Sequence, residues 1–198
     1  MIRIGLTGMS GSGKSFVSEI FQRYGIFSVN SDKIVHELYQ TKNACTEALA
    51  HAFGNAVLFD DFSVDRKTLA AIVFSSDEKL KLLNQTVHPH VLSKIDEIAT
   101  ENEARGASAL LLEAPQLFES GLDKTCDYIV SVIANHQTRV ERLILRDGIT
   151  SEMVESRLSH QYGDEFFREH SDFCIENNGN DDLEIQVLTF LNQIGLTV

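Results

Sequence analysis

The segment GMSGSGKS at residues 8–15, called the phosphate loop below, constrains the fold more than any other part of the chain. It has the form G-x-x-x-x-G-K-S and follows an apolar run at residues 2–6. Glycines let the backbone N–H groups turn inward around a phosphate, and a following helix directs its positive end at the same anion. The next residues have helical apolar spacing: Val17, Ile20, Phe21 and Tyr24. The segment therefore predicts a phosphate-binding site between a strand and a helix.

The motif also assigns roles to individual residues. Lys14 should reach the β and γ phosphates of a nucleotide, and the hydroxyl of Ser15 should bind Mg²⁺. A glycine-rich turn that binds nothing is the alternative, and the complete motif in its proper context disfavours it. The predicted nucleotide contacts are Gly8, Gly11, Ser12, Gly13, Lys14, Ser15 and Phe16.

Five short runs rich in β-forming residues alternate with helical patterns: 2–6, 26–30, 109–113, 128–133 and 173–176. The run Leu110-Leu111-Leu112 is apolar without alternation, which is typical of a strand buried on both faces. Strands that alternate with helices indicate an α/β fold with a parallel sheet flanked by helices. We therefore predict a five-stranded parallel sheet.

The long segments between these strands predict two helical additions to the sheet. About 75 residues separate the second and third runs, more than one crossover needs, so we expect a helical insertion at about 41–106. Within it, Ser75 to Glu78 has capping-box spacing, and Pro89 suits the first turn of a further helix. Helices at about 137–146, 151–162 and after Asp164 predict a second helical part at about 136–171. The core is then 1–40, 107–135 and 172–198, ending in a helix at about 182–194.

Composition excludes several classes of protein. The formal net charge is −12, whereas nucleic-acid surfaces need clustered Lys and Arg. No apolar run reaches the length of about 18 residues that a membrane span requires. The three cysteines have neither zinc-site nor disulfide spacing. We expect a cytoplasmic protein that binds neither nucleic acid nor membrane, and no obligatory protein partner is evident.

Asp32 follows the second predicted strand and opens a helical pattern. In an open parallel sheet, ligands bind beyond the carboxyl ends of the strands, so this carboxylate could accept a proton from an attacking hydroxyl. An acid favoured by the positive end of a helix is an equal alternative.

Arg139, Arg142 and Arg146 share one face of a predicted helix. Such a stripe could close over a triphosphate and stabilise the transferring phosphoryl group. The alternative is a solvated face paired with Glu141, Asp147 or Glu155. We favour the first interpretation, chiefly for Arg142 and Arg146, because a triphosphate bound at the phosphate loop would attract positive charge.

Two further candidates each have a functional and a structural interpretation, and the sequence does not decide between them. Glu113 ends the third strand, where an acid could hold Mg²⁺ through its water shell or could cap residues 115–117. His88-Pro89-His90 could bind substrate or could be a helix junction with a packed histidine, and no third ligand suggests a metal.

Proteins with phosphate loops include switches, motors and kinases. A GTPase switch needs D-x-x-G, and no glycine in this chain has an aspartate three residues before it. Ser93 to Asp96 resembles a guanine-binding motif but lies within a helical pattern. A transport ATPase should have an aspartate where Glu113 ends its strand. A compact phosphoryl transferase is left, with the insertion binding the acceptor and 136–171 forming a lid.

Several segments together resemble the dephospho-coenzyme A kinases, in order and with similar spacing over about nine-tenths of the chain. Histidine-proline, P-x-L-F-E and N-N-G are the most specific of them. The segments are residues 5–8, the phosphate loop, Ser31-Asp32, Val64-Asp65-Arg66, Ile72-Val73-Phe74, Val87-His88-Pro89, Ala114 to Glu119, Arg142 with Arg146-Asp147, Arg157 with Gln161, Asp172-Phe173 and Glu176 to Gly179.

This resemblance implies that ATP phosphorylates the ribose 3′-hydroxyl of dephospho-coenzyme A, with Mg²⁺ as cofactor. It makes Asp32 the base, and Lys14, Arg142 and Arg146 the groups that balance the phosphoryl charge. The loop containing Asn178 matches the family segment near the adenine of ATP. The implied acceptor contacts are Asp32, Arg66, His88 and Pro89.

The chain departs from the family pattern at a few positions. The family usually has a second acid two residues before Asp32, where this chain has Asn30, so the base assignment depends on Asp32 alone. Gln116 replaces a usual leucine, and Met9-Ser10 replaces a usual glycine and isoleucine. The loop acts through backbone N–H groups, so we expect these changes to leave the chemistry intact.

Overall fold

The computed structural model describes residues 1–196 and contains a five-stranded sheet of order β2-β3-β1-β4-β5. Strand β1 pairs in parallel with β3 and with β4, and β4 pairs in parallel with β5. This confirms the predicted α/β sheet. The strands are β1 Ile2–Thr7, β2 Phe27–Asn30, β3 Ala109–Glu113, β4 Tyr128–Ile133 and β5 Phe173–Glu176.

Nine α-helices lie within the described residues. They are α1 Lys14–Arg23, α2 Ser31–Leu38, α3 Ala44–Phe53, α4 Arg66–Val73, α5 Asp77–Ala104, α6 His136–Asp147, α7 Ser151–Leu158, α8 Asp164–His170 and α9 Leu183–Gln193. Short 3₁₀ turns occur at Asn55–Val57 and Leu122–Thr125. None of the helices in residues 1–196 is both long and apolar enough to cross a membrane.

Burial in the sheet core explains why the strands have apolar sequences. Ile4, Leu111 and Val132 are fully buried with residues of α1 and α9 in one apolar cluster. Leu110 and Leu112 are equally buried and point to the opposite face, because side chains alternate along a strand. Burial on both faces requires the unbroken leucine run of β3.

The chain divides into two compact units, Met1–Val29 with the chain from Asn102 onward, and Asn30–Glu101. In the first unit, α6, α7 and α8 share a smaller apolar cluster that includes Val140, Leu143, Val154 and Phe167. Met9 of the phosphate loop belongs to the same cluster. The helices expected to form a lid therefore share a cluster with the phosphate loop and with Ile133 of β4, and the lid itself stays a prediction.

The second unit is helical. Asn43 caps α3 and Asp65 caps α4, each by accepting backbone N–H groups of the first turn. The backbone N–H of Val64 donates to the carbonyl of Tyr39 at 2.8 Å, which ties the loop before α4 to the end of α2. The start of this unit at Asn30 lies eleven residues before the expected start of the insertion at 41.

Pro89 does not begin a new helix, contrary to the sequence prediction. Helix α5 is continuous for 28 residues and contains Pro89 in its interior. Val87, Val91, Ile95 and Ala99 are buried along the same helix. Because their burial spans the proline, packing of this apolar face sustains the helix despite the missing N–H.

Candidate active site

The phosphate loop lies between β1 and α1 and has the backbone that its glycines permit. Gly8, Gly11 and Gly13 have φ values of 138°, 79° and 94°, a region that side chains disfavour. A Cβ at Gly11 would come within 2.8 Å of the carbonyl oxygen of Arg139, and one at Gly8 would clash with that of Val132. Both the turn and the close backbone approach therefore require glycine at these positions.

The side chains of the phosphate loop differ in their exposure and in their partners. Lys14 Nζ donates to the carbonyl oxygens of Gly8 and Met9, at 2.7 and 3.0 Å. The ammonium group thus lies across the loop, where phosphate oxygens could replace carbonyl oxygens. Ser15 and Phe16 are exposed in the first turn of α1, whereas Ser12 is fully buried. Ser12 is therefore placed to act through its backbone, and Ser15 through its hydroxyl.

Arg142 lies directly against the phosphate loop. Its Nη1 donates to the carbonyl oxygens of Gly11 and Ser12, at 3.3 and 3.4 Å, and to that of Asn177 at 3.0 Å. Its Nη2 donates to Oδ1 of Asn177 at 3.1 Å. The structure thus brings Arg142 and the loop together, and the role of this arginine toward a triphosphate stays a prediction.

Arg139 and Arg146 have different surroundings, although they share the helix face of Arg142. Arg139 is only 5% exposed; its Nη1 donates to Sδ of Met9, and its Nη2 is 3.7 Å from Oδ1 of Asp164. Arg146 is exposed and pairs with Asp147 through Nε at 2.7 Å. The pairing of Arg146 with Asp147 is one that the solvated-face interpretation anticipates.

Asp147 is the centre of a small charge cluster. It accepts from Arg146 and from Arg157, the latter at 2.5 Å. The hydrogen bonds from Arg146, and secondly from Arg157, lower the pKa of Asp147 to about 2. Asp147 therefore stays ionised at any physiological pH and holds Arg146 near the end of α6.

A reciprocal contact between Ser10 and Gln161 escaped the sequence analysis. The backbone N–H of Ser10 donates to Oε1 of Gln161, and Nε2 of Gln161 donates to Oγ of Ser10, both at 2.9 Å. Gln161 follows α7, in the region expected to be a lid. The family resemblance included Gln161, but its position in the sequence did not indicate a contact with the phosphate loop.

Two neighbouring asparagines follow β5. Nδ2 of the buried Asn177 donates to the carbonyl oxygen of Ser12 at 2.7 Å. Asn178 is exposed, accepts the backbone N–H of Asn135 at 2.8 Å and donates its own N–H to Asp181. The sequence analysis placed both asparagines in a family segment but predicted a nucleotide contact for Asn178 alone, and it did not predict the contact of Asn177 with the phosphate loop.

Glu113 is bound by two serine hydroxyls. Its Oε1 accepts from Oγ of Ser18 in α1 at 2.6 Å and from Oγ of Ser28 in β2 at 2.8 Å. These bonds run to α1 and β2 instead of to residues 115–117, so the structure gives no support to the capping interpretation. A role near a metal stays a prediction.

The second unit contains the other candidate residues. Asp32 is exposed in the first turn of α2, and Oδ1 of Asn30 caps this helix by accepting the N–H of Lys33 at 3.1 Å. Arg66 begins α4, with Nη1 3.4 Å from Nδ1 of His36 and its guanidinium 5.7 Å from the centre of the Tyr39 ring. Asn30 thus has a structural role that needs no charge.

His88 and Pro89 lie in the middle of α5. Partial burial lowers the pKa of His88 below its usual value, so the neutral imidazole is favoured near pH 7. Pro89 is exposed. A neutral, half-buried histidine can accept or donate one hydrogen bond, and this chemistry suits a polar ligand as well as a packed side chain.

Comparison with known proteins gives a consistent result. The family model described as dephospho-CoA kinase matches residues 2–182. A dephospho-CoA kinase of Fusobacterium nucleatum is 37% identical over 192 residues, 96% of this chain and 97% of the relative. One of Corynebacterium glutamicum is 34% identical over 195 residues, 98% of both chains. The crystal structure of TT1252 from Thermus thermophilus has a TM-score of 0.80 at 31% identity, covering 100% of this chain and 98% of that one.

Proposed function

The chain belongs to the dephospho-CoA kinase family, and from this premise we propose how its residues divide the work of phosphoryl transfer. It catalyses the ATP-dependent phosphorylation of dephospho-CoA in the biosynthesis of coenzyme A. The family match over residues 2–182 is the observation that carries this function. The phosphate loop, whose carbonyl oxygens accept from both Lys14 and Arg142, independently supports the use of a nucleotide.

The proposed acceptor is the ribose 3′-hydroxyl of dephospho-CoA. Its oxygen forms a bond to the γ-phosphorus of ATP while the bond from that phosphorus to the β,γ-bridging oxygen breaks. The hydroxyl proton passes to the carboxylate of Asp32, and ADP leaves with the electron pair of the broken bond. The products are coenzyme A and ADP. The exposed position of Asp32 beyond the carboxyl end of β2 supports this role.

Three cations balance the phosphoryl charge in this proposal. Lys14 moves its ammonium group from loop carbonyls to phosphate oxygens, and Arg142 stabilises the transferring group from the side of α6. Arg146 joins them if its guanidinium exchanges Asp147 for a phosphate. Arg142 needs the least reorganisation of the three when charge shifts during transfer, because Asn177 already holds its guanidinium.

The residues present fit a magnesium ion that arrives with the nucleotide. Magnesium usually keeps several waters and takes one or two protein ligands together with substrate phosphates. The exposed hydroxyl of Ser15, next to Lys14, can be such a ligand, and the described residues contain no cluster of three or more His, Cys, Asp or Glu side chains that could hold an ion alone. When bound, the ion would neutralise phosphate charge.

The remaining predicted contacts are with the adenine of ATP and with the acceptor. We propose that the turn of Asn178 lies against the adenine of ATP. We also propose that Arg66, His88 and Pro89 bind the acceptor within the helical insertion, that 136–171 acts as a lid, and that the enzyme works in the cytoplasm. The guanidinium of Arg66 lies over the Tyr39 ring at 5.7 Å, and its positive charge at the start of α4 supports a site for a polar acceptor.

The position of the new phosphate tests the proposed reaction. The purified protein is incubated with ATP, Mg²⁺ and dephospho-CoA, and the product is isolated. We expect a 3′-nucleotidase to remove the new phosphate, and a coenzyme A-dependent acetyltransferase to accept the untreated product. A product that resists the nucleotidase and fails with the acetyltransferase would show phosphorylation at another hydroxyl.

A further inference from the structure

We propose that Asn177 is a positioning residue that fixes Arg142 against the phosphate loop. This inference rests on the proposed role of Arg142 in stabilising the transferring phosphoryl group. Asn177 lies one residue beyond β5 and is 7% exposed. Its backbone N–H donates to the carbonyl oxygen of Ile133 at 2.8 Å, which anchors it to the end of β4.

One side chain joins the loop to the arginine. Nδ2 of Asn177 donates to the carbonyl oxygen of Ser12 at 2.7 Å, and Oδ1 accepts from Nη2 of Arg142 at 3.1 Å. The carbonyl oxygen of Asn177 also accepts from Nη1 of Arg142 at 3.0 Å. The two hydrogen bonds to one residue fix the plane of the guanidinium, because its donors form a rigid fork.

The contact also depends on the glycine of the loop. A Cβ added at Gly13 would overlap Nδ2 of Asn177. The amide therefore packs directly on the backbone that leads into Lys14 and α1. A displacement of the loop would move the amide, and with it the acceptor that holds Arg142.

The amide of Asn177 meets two requirements at once. The carbonyl of Ser12 needs a donor and the guanidinium needs an acceptor, and asparagine supplies both without charge. Within residues 1–196, Arg142 forms no ion pair, whereas Arg139 approaches Asp164 and Arg146 pairs with Asp147. Arg142 is thus held in place while its positive charge stays available to a phosphate.

The first test uses an isosteric change, Asn177→Asp. The carboxylate keeps the size of the side chain, but it repels the carbonyl of Ser12 and neutralises Arg142. We expect kcat to fall by about tenfold or more with a much smaller change in the KM for ATP. Asn192→Asp, at an exposed position of α9, makes the same change of charge and should leave both constants unchanged.

The second test asks whether Asn177 acts through Arg142. Asn177→Ala is made in the wild-type chain and in Arg142→Ala, and kcat is measured for all four proteins. We expect a loss of about tenfold in the wild type and at most two- to threefold in the Arg142→Ala background, because coupled residues are not additive. Thermal unfolding of each variant shows whether it is folded; if Asn177→Ala is not, the isosteric variant is combined with Arg142→Ala instead.

Three results would overturn the proposal. They are a wild-type kcat for Asn177→Asp, an equal loss from the second substitution in both backgrounds, and a rise in the KM for ATP with kcat unchanged. The last result would make Asn177 a direct contact of the nucleotide. Wild-type protein that is inactive with dephospho-CoA would instead refute the proposed reaction, which separates the two failures.

Discussion

Asp32 is the residue on which the proposed proton transfer depends, and Asp32→Asn tests it directly. The amide keeps the size of the side chain but cannot accept the hydroxyl proton. We expect kcat to fall by about 10²- to 10⁴-fold, the usual contribution of a general base. Nucleotide affinity should change little, because the proposed partner of Asp32 is the acceptor. Coupled detection of ADP gives the rate, and calorimetric titration with a non-hydrolysable ATP analogue gives the affinity.

Asp60→Asn is a matched control for this experiment, since Asp60 is exposed in the same unit of the chain and is not among the predicted site residues. It should keep the wild-type rate. Near-normal turnover by Asp32→Asn would remove Asp32 from the role of base and would favour the alternative of an acid at a helix start.

Individual contacts were the least predictable level from sequence. The loop motif allowed a prediction of a phosphate contact for Lys14 and of a magnesium contact for Ser15, because these roles follow from the geometry of one local turn. It could not predict the Ser10–Gln161 contact, whose partners are 151 residues apart. It also could not show that Arg139 is buried, since three arginines on one helix face look alike until neighbouring helices are placed. The same applies to Asn30, which caps α2.

At the scale of the element, α6 presents its arginines to different partners, and this predicts different effects on the rate. We expect Arg142→Ala to lower kcat by about 10²- to 10³-fold, comparable to the loss of one donor to a developing anion. Arg146→Ala should cost less, because Asp147 competes for its guanidinium. Steady-state kinetics in both substrates measure these effects, and the KM for the acceptor should change less than kcat.

Arg105→Ala removes an exposed arginine just after α5 and should leave the rate unchanged. If Arg142→Ala and Arg146→Ala also leave it unchanged, the stripe is a solvated face and has no part in phosphoryl transfer.

Pro89 within α5 predicts a gain in stability when it is replaced. Pro89→Ala restores a backbone N–H in the middle of the helix. We expect the free energy of unfolding to rise by about 1 to 2 kcal/mol, less than the full cost of an interior proline because proline also restricts the unfolded chain. Urea unfolding followed by circular dichroism measures this change.

The matched control is Lys81→Ala, an exposed position of the same helix, which should change stability by no more than about 0.5 kcal/mol. Unchanged or lower stability of Pro89→Ala would show that the proline fits its place in α5 without cost. Acceptor KM measured in parallel tests the separate proposal that Pro89 contacts dephospho-CoA.

Regular elements were largely predictable, and the exception has a physical cause. All five strands occur where apolar β-type runs indicate them, because a buried parallel sheet leaves little choice of residue. The break expected at Pro89 was wrong, since the preference of proline is local whereas Val87, Val91 and Ile95 are buried on one face across it. Tertiary packing overrides a local preference of this size.

For the whole molecule, composition and motif restrict the function but do not identify the acceptor. The net charge of −12 makes the cations at the phosphate loop stand out, and the loop accounts for a nucleotide. The identity of the acceptor came from segments spread along the chain, such as His88-Pro89 and Asn177 to Gly179, which match one family. Physical reasoning from the residues alone ends at a kinase of a small hydroxylated metabolite.

The most direct test of the central claim is ADP release by the purified protein in a panel of acceptors. The assay contains ATP and Mg²⁺ with dephospho-CoA, shikimate, gluconate or a nucleoside monophosphate, or without acceptor. We expect rapid release of ADP with dephospho-CoA and only background release in the other reactions. Background release with dephospho-CoA, together with rapid turnover of another acceptor, would contradict the assignment and show that this chain is a different small-molecule kinase.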